Sequence, residues 1–280
     1  MGYKTKIDWC DSSWNPVTGC NHGCKYCYAR GISERFGGHL ATLSGKPTQP
    51  DAKEWEFRRE TVHVLDEPML RAGKKMPYPF DFEPTFHRYR LDQPSKWSEP
   101  RTIFVCSMAD LFGEWVPLEW IREVFNACRE ASQHRYIFLT KNPKRLRELE
   151  ADGELPDLPN FWYGSTVETY PDGPAENCWN ALFIPNDDYG LARAHTFVSI
   201  EPIMGDFEAQ GITNNVDWVI VGAETGNRAG KVVPERRWIE NLMTLCDIAE
   251  TPLFMKDSLR ELMGNNFKQE FPWEADGYEH

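Results

Sequence analysis

No apolar run in these 280 residues reaches the length that a bilayer-spanning helix needs. The opening stretch, Met1-Gly2-Tyr3-Lys4-Thr5-Lys6-Ile7-Asp8-Trp9-Cys10, also lacks the hydrophobic segment of a secretory signal. The expectation is a protein of the reducing cytoplasm with no membrane partner, in which cysteines stay as thiols or bind metal. Positive charge is scarce too: 31 Lys and Arg against 43 Asp and Glu give a formal charge of -12. Non-specific binding to duplex nucleic acid relies on neutralising phosphates, so this balance disfavours it while leaving room for a local basic patch. Lys141, Lys144, Arg145 and Arg147 could form one, although an ordinary charged helix face is the simpler reading. Finally, the eight cysteines contain no second C-x2-C pair, the usual complement of a structural zinc site.

What the cysteines do contain is the run Cys20-Asn21-His22-Gly23-Cys24-Lys25-Tyr26-Cys27, a C-x3-C-x2-C spacing with an aromatic residue before the last thiol. Three thiolates this close can hold an iron-sulfur cube by three corners, leaving the fourth iron open to an exogenous ligand. Gly23 lets the short polar loop curl at no steric cost. Zinc is the competing reading, but it wants four ligands. His22 could supply the fourth, yet it lies between Cys20 and Cys24, where a tetrahedral site is hard to close. Cys10, Cys128, Cys178 and Cys246 stand singly with no ligand spacing, which argues against a disulfide framework and against a second cluster.

Around this loop the chain repeats short apolar runs, each followed by polar residues and a helical pattern, which is the rhythm of βα units. Strands are expected at 102–107, 136–140, 161–165, 196–200, 218–222 and 253–256, with a first at 14–19 and a weaker one at 84–89. Helices are expected from Pro117, over 143–151, from near Pro174 and from Pro234. Near-continuous apolar strands joined by helices imply a parallel sheet covered on both faces. The fold class is α/β: a partial or full parallel (β/α) barrel, TIM-like, of six to eight units, with the site at the carboxyl ends of the strands. Those ends carry Ser107 and Asp110, Thr140 and Lys141, Ser165 and Glu168, Ser199 and Glu201, Glu224, and Lys256. The expected organisation is a single domain over 1–280. A Pro-rich insertion at about 38–100, with a helix at 52–66, interrupts it. From about 264 a tail carrying Phe267, Phe271, Trp273 and Tyr278 is expected to pack over a barrel end.

A C-x3-C-x2-C loop after a first strand, in a βα repeat, resembles the radical S-adenosylmethionine (SAM) superfamily. More narrowly, the chain looks like the phage-associated three-Cys-motif proteins, whose domain has no assigned function. That likeness rests on Trp14-Asn15-Pro16-Val17-Thr18-Gly19-Cys20, Val105-Cys106-Ser107-Met108-Ala109-Asp110-Leu111-Phe112, Leu139-Thr140-Lys141, Ser199-Ile200-Glu201-Pro202 and Val221-Gly222-Ala223-Glu224-Thr225-Gly226. The resemblance implies a [4Fe-4S] cluster on Cys20, Cys24 and Cys27, with SAM chelated at the open iron. It further implies reductive cleavage to a 5'-deoxyadenosyl radical that abstracts hydrogen from a substrate, a nucleoside or nucleic-acid base among the candidates. An external electron donor of the flavodoxin or ferredoxin type would be the partner, and the cofactors would carry the hard chemistry.

By the same resemblance, Glu83 stands where the superfamily's Gly-Gly-Glu run would hold the methionine amino group, although both glycines are missing. Ser165 or Glu168 would meet the ribose hydroxyls. Thr140 and Lys141 would reach the SAM carboxylate, and Tyr26 would pack near the adenine. Ser199 and Glu201 complete the cofactor set, and Cys106 is the candidate catalytic residue, as a hydrogen-atom donor to a product radical. The alternative is a non-catalytic iron-sulfur or zinc protein that binds a partner.

Overall fold

The computed structural model describes residues 5–39, 62–167, 194–207, 213, 216–226 and 228–275. The chain begins with two short strands, β1 (Ser12–Trp14) and β2 (Val17–Thr18), and helix α1 (Tyr28–Phe36). Strand β3 (His63–Leu65), the hairpin of β4 (Leu70–Arg71) and β5 (Lys74–Lys75), and β6 (Thr85–His87) follow. The βα rhythm then runs through β7 (Thr102–Val105), α2 (Leu118–Glu130), β8 (Arg135–Thr140), α3 (Pro143–Ala151) and β9 (Phe161–Thr166). It ends with β10 (His195–Ile200), β11 (Trp218–Val221), α4 (Arg236–Ala249) and β12 (Leu253–Met255).

Seven of these strands form one all-parallel sheet in the order β1-β7-β8-β9-β10-β11-β12, curled into a half-barrel. The fold is a partial (β/α) barrel. Both faces are buried, as the continuous apolar runs require. Odd-even alternation sends Ile103, Val105, Tyr136, Phe138, Phe161 and Tyr163 outward against Trp120, Val124, Phe125 and Cys128 of α2 and Leu146 and Leu149 of α3. Val198, Ile200, Val219, Val221, Leu253 and Met255 meet Ile239, Leu242 and Cys246 of α4 in the same way. The inward set is aromatic: Phe104, Trp162, Phe197, Trp218 and Phe254, joined by Trp9, fill the barrel floor. Fully burying a side chain of this size contributes roughly 1.5–3 kcal/mol, so the floor is a stable platform rather than a pore.

The helix starts follow the prolines. Pro117 occupies the position just before α2, and Pro143 is the first residue of α3. The helix expected from near Pro174 lies outside the described residues, as do 52–61 of the helix expected at 52–66; residues 63–65 of the latter are strand β3.

The strand expected at 14–19 is divided. β1 ends at Trp14, and Pro16, with no N–H to give the ladder, turns the chain into β2. There the Pro16 carbonyl accepts from the His87 N–H at 2.7 Å, and β2 pairs antiparallel with β6. The strand expected at 84–89 is therefore not an eighth barrel strand; β6 lies in a separate three-stranded sheet, order β2-β6-β3.

At the other end, residues 268–270 run beside β12. Met255 N–H donates to the Lys268 carbonyl at 3.0 Å and Glu270 N–H to the Leu253 carbonyl at 3.1 Å. Beyond them Phe271 and Trp273 pack on the barrel floor, with Trp273 ring centroids 5.2 Å from Trp218 and 5.4 Å from Trp162. No helix among the described residues is long and apolar enough to cross a membrane.

Candidate active site

The inward alternation that builds the floor continues upward to polar residues. On β9, Trp162 is followed inward by Gly164 and Thr166; on β10, Phe197 is followed by Ser199; past β12, Phe254 is followed by Lys256. These carboxyl ends, with the cysteine loop, enclose a cavity of about 250 Å³. Cys20, Cys24 and Cys27 all line it, and so do Tyr26, Thr140, Lys141, Ser199 and Glu201.

Cys27 is the N-cap of α1, its sulfur accepting the Arg30 N–H at 3.4 Å, so the helix dipole favours negative charge there. Burial, followed by the Asp110 carboxylate, pushes the Cys20 thiol up, so without metal it stays protonated. Among the described residues no three Cys, His, Asp or Glu side chains are gathered tightly enough to hold a single ion.

Charge in the cavity is paired. Lys256 Nζ lies 2.7 Å from Glu201 Oε1, and Ser199 Oγ donates to the other Glu201 oxygen at 2.9 Å. Burial works against the Lys256 ammonium, but Glu201 outweighs it and leaves its pKa raised. Room for the pair comes from Gly222, where a β-carbon would sit 2.9 Å from both Glu201 Oε1 and Lys256 Cδ. Lys141 Nζ donates to the Tyr26 hydroxyl at 2.9 Å; burial pulls this lysine down, opposed by Cys24, Asp110 and Cys20.

Three expected residues stand elsewhere, and a fourth is not described. Glu83 pairs with His63 Nε2 at 2.7 Å and is not part of the cavity lining, although neighbouring Phe82 is. Ser165 is buried facing away, its hydroxyl without a hydrogen-bond partner among the described residues; by strand parity Thr166 faces the cavity instead. Glu168 lies outside the described residues. Cys106 is 2% exposed, packs in the outer core with Trp14 and Val105, and has its thiol pushed up to about 12 by burial. It does not line the cavity.

Several lining residues have no cofactor-binding or catalytic role in the sequence reading: His22, weighed there only as a fourth zinc ligand, Tyr28, Thr166, Glu224 and Lys256. Asp110, Glu224 and Lys256 are legible only as polar strand ends. The contact of His22 with Asp110, at 2.7 Å, bridges 88 residues and leaves no local trace in the sequence.

Among solved structures the chain is similar to a point mutant of spore photoproduct lyase with dinucleoside spore photoproduct, at 9% identity and a TM-score of 0.48 over 91% of this chain and 79% of that one. A variant of that lyase with bound AdoMet and the same dinucleoside is similar at 10% identity and a TM-score of 0.45, covering 90% and 80% of the two chains. No curated protein matches the chain. The family model described as Protein of unknown function (DUF5131) matches residues 4–263, which takes in the cysteine loop and every strand of the half-barrel. The chain belongs to that family.

Proposed function

We propose that this protein is a radical SAM enzyme, with a [4Fe-4S] cluster on Cys20, Cys24 and Cys27 and SAM in the cavity beside it. The observation that carries the reading is that three cysteines of one short loop share a single cavity with the carboxyl ends of the parallel strands. Three thiolates of one loop suit a cluster, in which each binds its own iron and the fourth iron stays open, whereas structural zinc wants four ligands. The N-terminus of α1 and the amino group of Lys141, which reaches Tyr26 in the loop, suit a group of net negative charge.

When bound, the cofactor pair supplies one-electron cleavage of a sulfonium carbon-sulfur bond and hydrogen abstraction, with electrons from a flavodoxin- or ferredoxin-type donor. The chain's own residues bind and orient. Lys141 reaches the loop through Tyr26, and Thr140 through Asp110 and His22, so both suit the methionine end of SAM, Lys141 as a cation for its carboxylate. Ser199 and Thr166 offer hydroxyl groups to the ribose or to a substrate, beside Glu224, whose carboxylate is held by Arg228. Trp9, Phe82, Phe104 and Tyr28 are flat apolar walls, and the Lys256–Glu201 pair sets a donor beside an acceptor. That combination suits a nucleoside or nucleic-acid base. The aromatic floor closes the cavity from below and keeps water from a reactive radical.

Anaerobic reconstitution tests this. The loaded protein is expected to absorb near about 400 nm, as iron-sulfur chromophores do, and once reduced to form 5'-deoxyadenosine from SAM. Replacing any one of the three cysteines by Ala is expected to abolish both. Uptake of zinc without that absorption, or a cluster that never cleaves SAM, would leave the non-catalytic alternative standing.

A further inference from the structure

The turn that follows β7, residues 106–110, is moulded against the cysteine loop at three places. Before the loop, Gly19 N–H donates to the Met108 carbonyl at 2.9 Å, and Gly19 forms a bridge with Ala109. Beyond the loop, the Tyr28 hydroxyl donates to the Ser107 carbonyl at 2.6 Å. Between them, inside the loop itself, His22 Nε2 meets Asp110 Oδ2 at 2.7 Å.

Asp110 is only 5% exposed, and its carboxylate is fully engaged. It accepts from Thr140 Oγ1 at 2.8 Å, from Lys141 N–H at 2.8 Å and from Phe112 N–H at 3.0 Å, besides His22. An ionised carboxylate only accepts, so His22 must carry its proton on Nε2. His22 is not itself one of the three thiol ligands, but it stands between two of them, and outer hydrogen bonds of this kind orient the ligands of a metal site. The same carboxylate is anchored to the end of β8, so the loop is referenced to the barrel and not to itself. The edge of the His22 ring against Trp115, at 4.9 Å between centroids, removes the remaining freedom.

We propose that Asp110 is a positioning residue, acting through His22 to hold the cysteine loop in the shape that accepts the cluster; the proposal rests on the iron-sulfur reading above. The test compares the full chain with Asp110→Asn, His22→Ala and His22→Gln after anaerobic reconstitution with iron and sulfide. The readouts are iron and sulfide per chain, the rate of iron loss to a chelator, and the electron paramagnetic resonance spectrum of the reduced cluster. Asp110→Asn and His22→Ala are expected to lose iron about ten times faster or more, with an altered spectrum. His22→Gln, whose side-chain amide still donates at similar reach, is expected to keep the wild-type rate.

His22→Ala retaining iron like the wild type overturns the proposal, as does His22→Gln failing as badly as His22→Ala. Should Asp110→Asn not fold, by circular dichroism, the two His22 variants decide the matter alone. A wild-type chain that takes up no cluster overturns the iron-sulfur reading and this inference together. A loaded wild type with indifferent variants overturns this inference only.

Discussion

A β-carbon added to Gly164 would stand 2.4 Å from the ring of Phe197, its partner across the β9–β10 ladder. Real contacts of that kind do not occur, and the ring is hemmed in by Trp218 at 6.0 Å, so it has no easy retreat. Gly164→Ala is therefore expected to destabilise the protein by about 1–3 kcal/mol, the usual cost of overpacking, as read from urea unfolding. Adding Phe197→Leu is expected to recover part of the loss, which a purely conformational effect of removing glycine would not. The same glycine explains why the expectation for Ser165 misses. Side chains alternate, so once Gly164 faces inward, Thr166 must follow it and Ser165 must face the helices. That parity is present in the sequence, but it is read only after one position on the strand has been placed.

Long elements were legible because burial on both faces leaves a continuous apolar record: β8, α3 and β10 stand within a residue of where the pattern puts them. The two- and three-residue strands of the small sheet leave no such record. Their pairing depends on Pro16 diverting the chain, and on His87 filling the space beneath it. His87 is fully buried, with Nε2 2.9 Å from Thr18 Oγ1, and burial, then Arg90, pulls its pKa down to about 2. The folded pKa lies below the unfolded value of 6.5, so above that pH both states are neutral and this residue adds no pH dependence. Below it the unfolded chain binds a proton that the folded chain refuses. Stability is expected to fall by about 1.4 kcal/mol per pH unit on this account. Urea midpoints between about pH 7 and pH 5 should show the decline, and His87→Gln should remove that part of the slope.

At the scale of the molecule the barrel is a half-barrel, and the tail covers its β12 edge. Residues 268–270 occupy the free edge of β12, and Trp273 seals the floor, where Arg135 stacks on its ring at 4.1 Å. Trp273→Ala is expected to cost about 2–3 kcal/mol, toward the lower part of the range for large aromatic truncations because the ring is only partly buried. Binding of a hydrophobic dye near neutral pH should rise in step. The aromatic pattern of the tail announces this packing in the sequence, whereas nothing local announces that a turn after β7 grips the cysteine loop before, within and beyond its three thiols. On the iron-sulfur proposal, that grip bears on the life of the protein under iron starvation. Small zinc modules collapse when their metal leaves; a chain whose cysteine loop is already held by the turn after β7 would persist as an intact empty vessel, to be charged when iron returns without being made again.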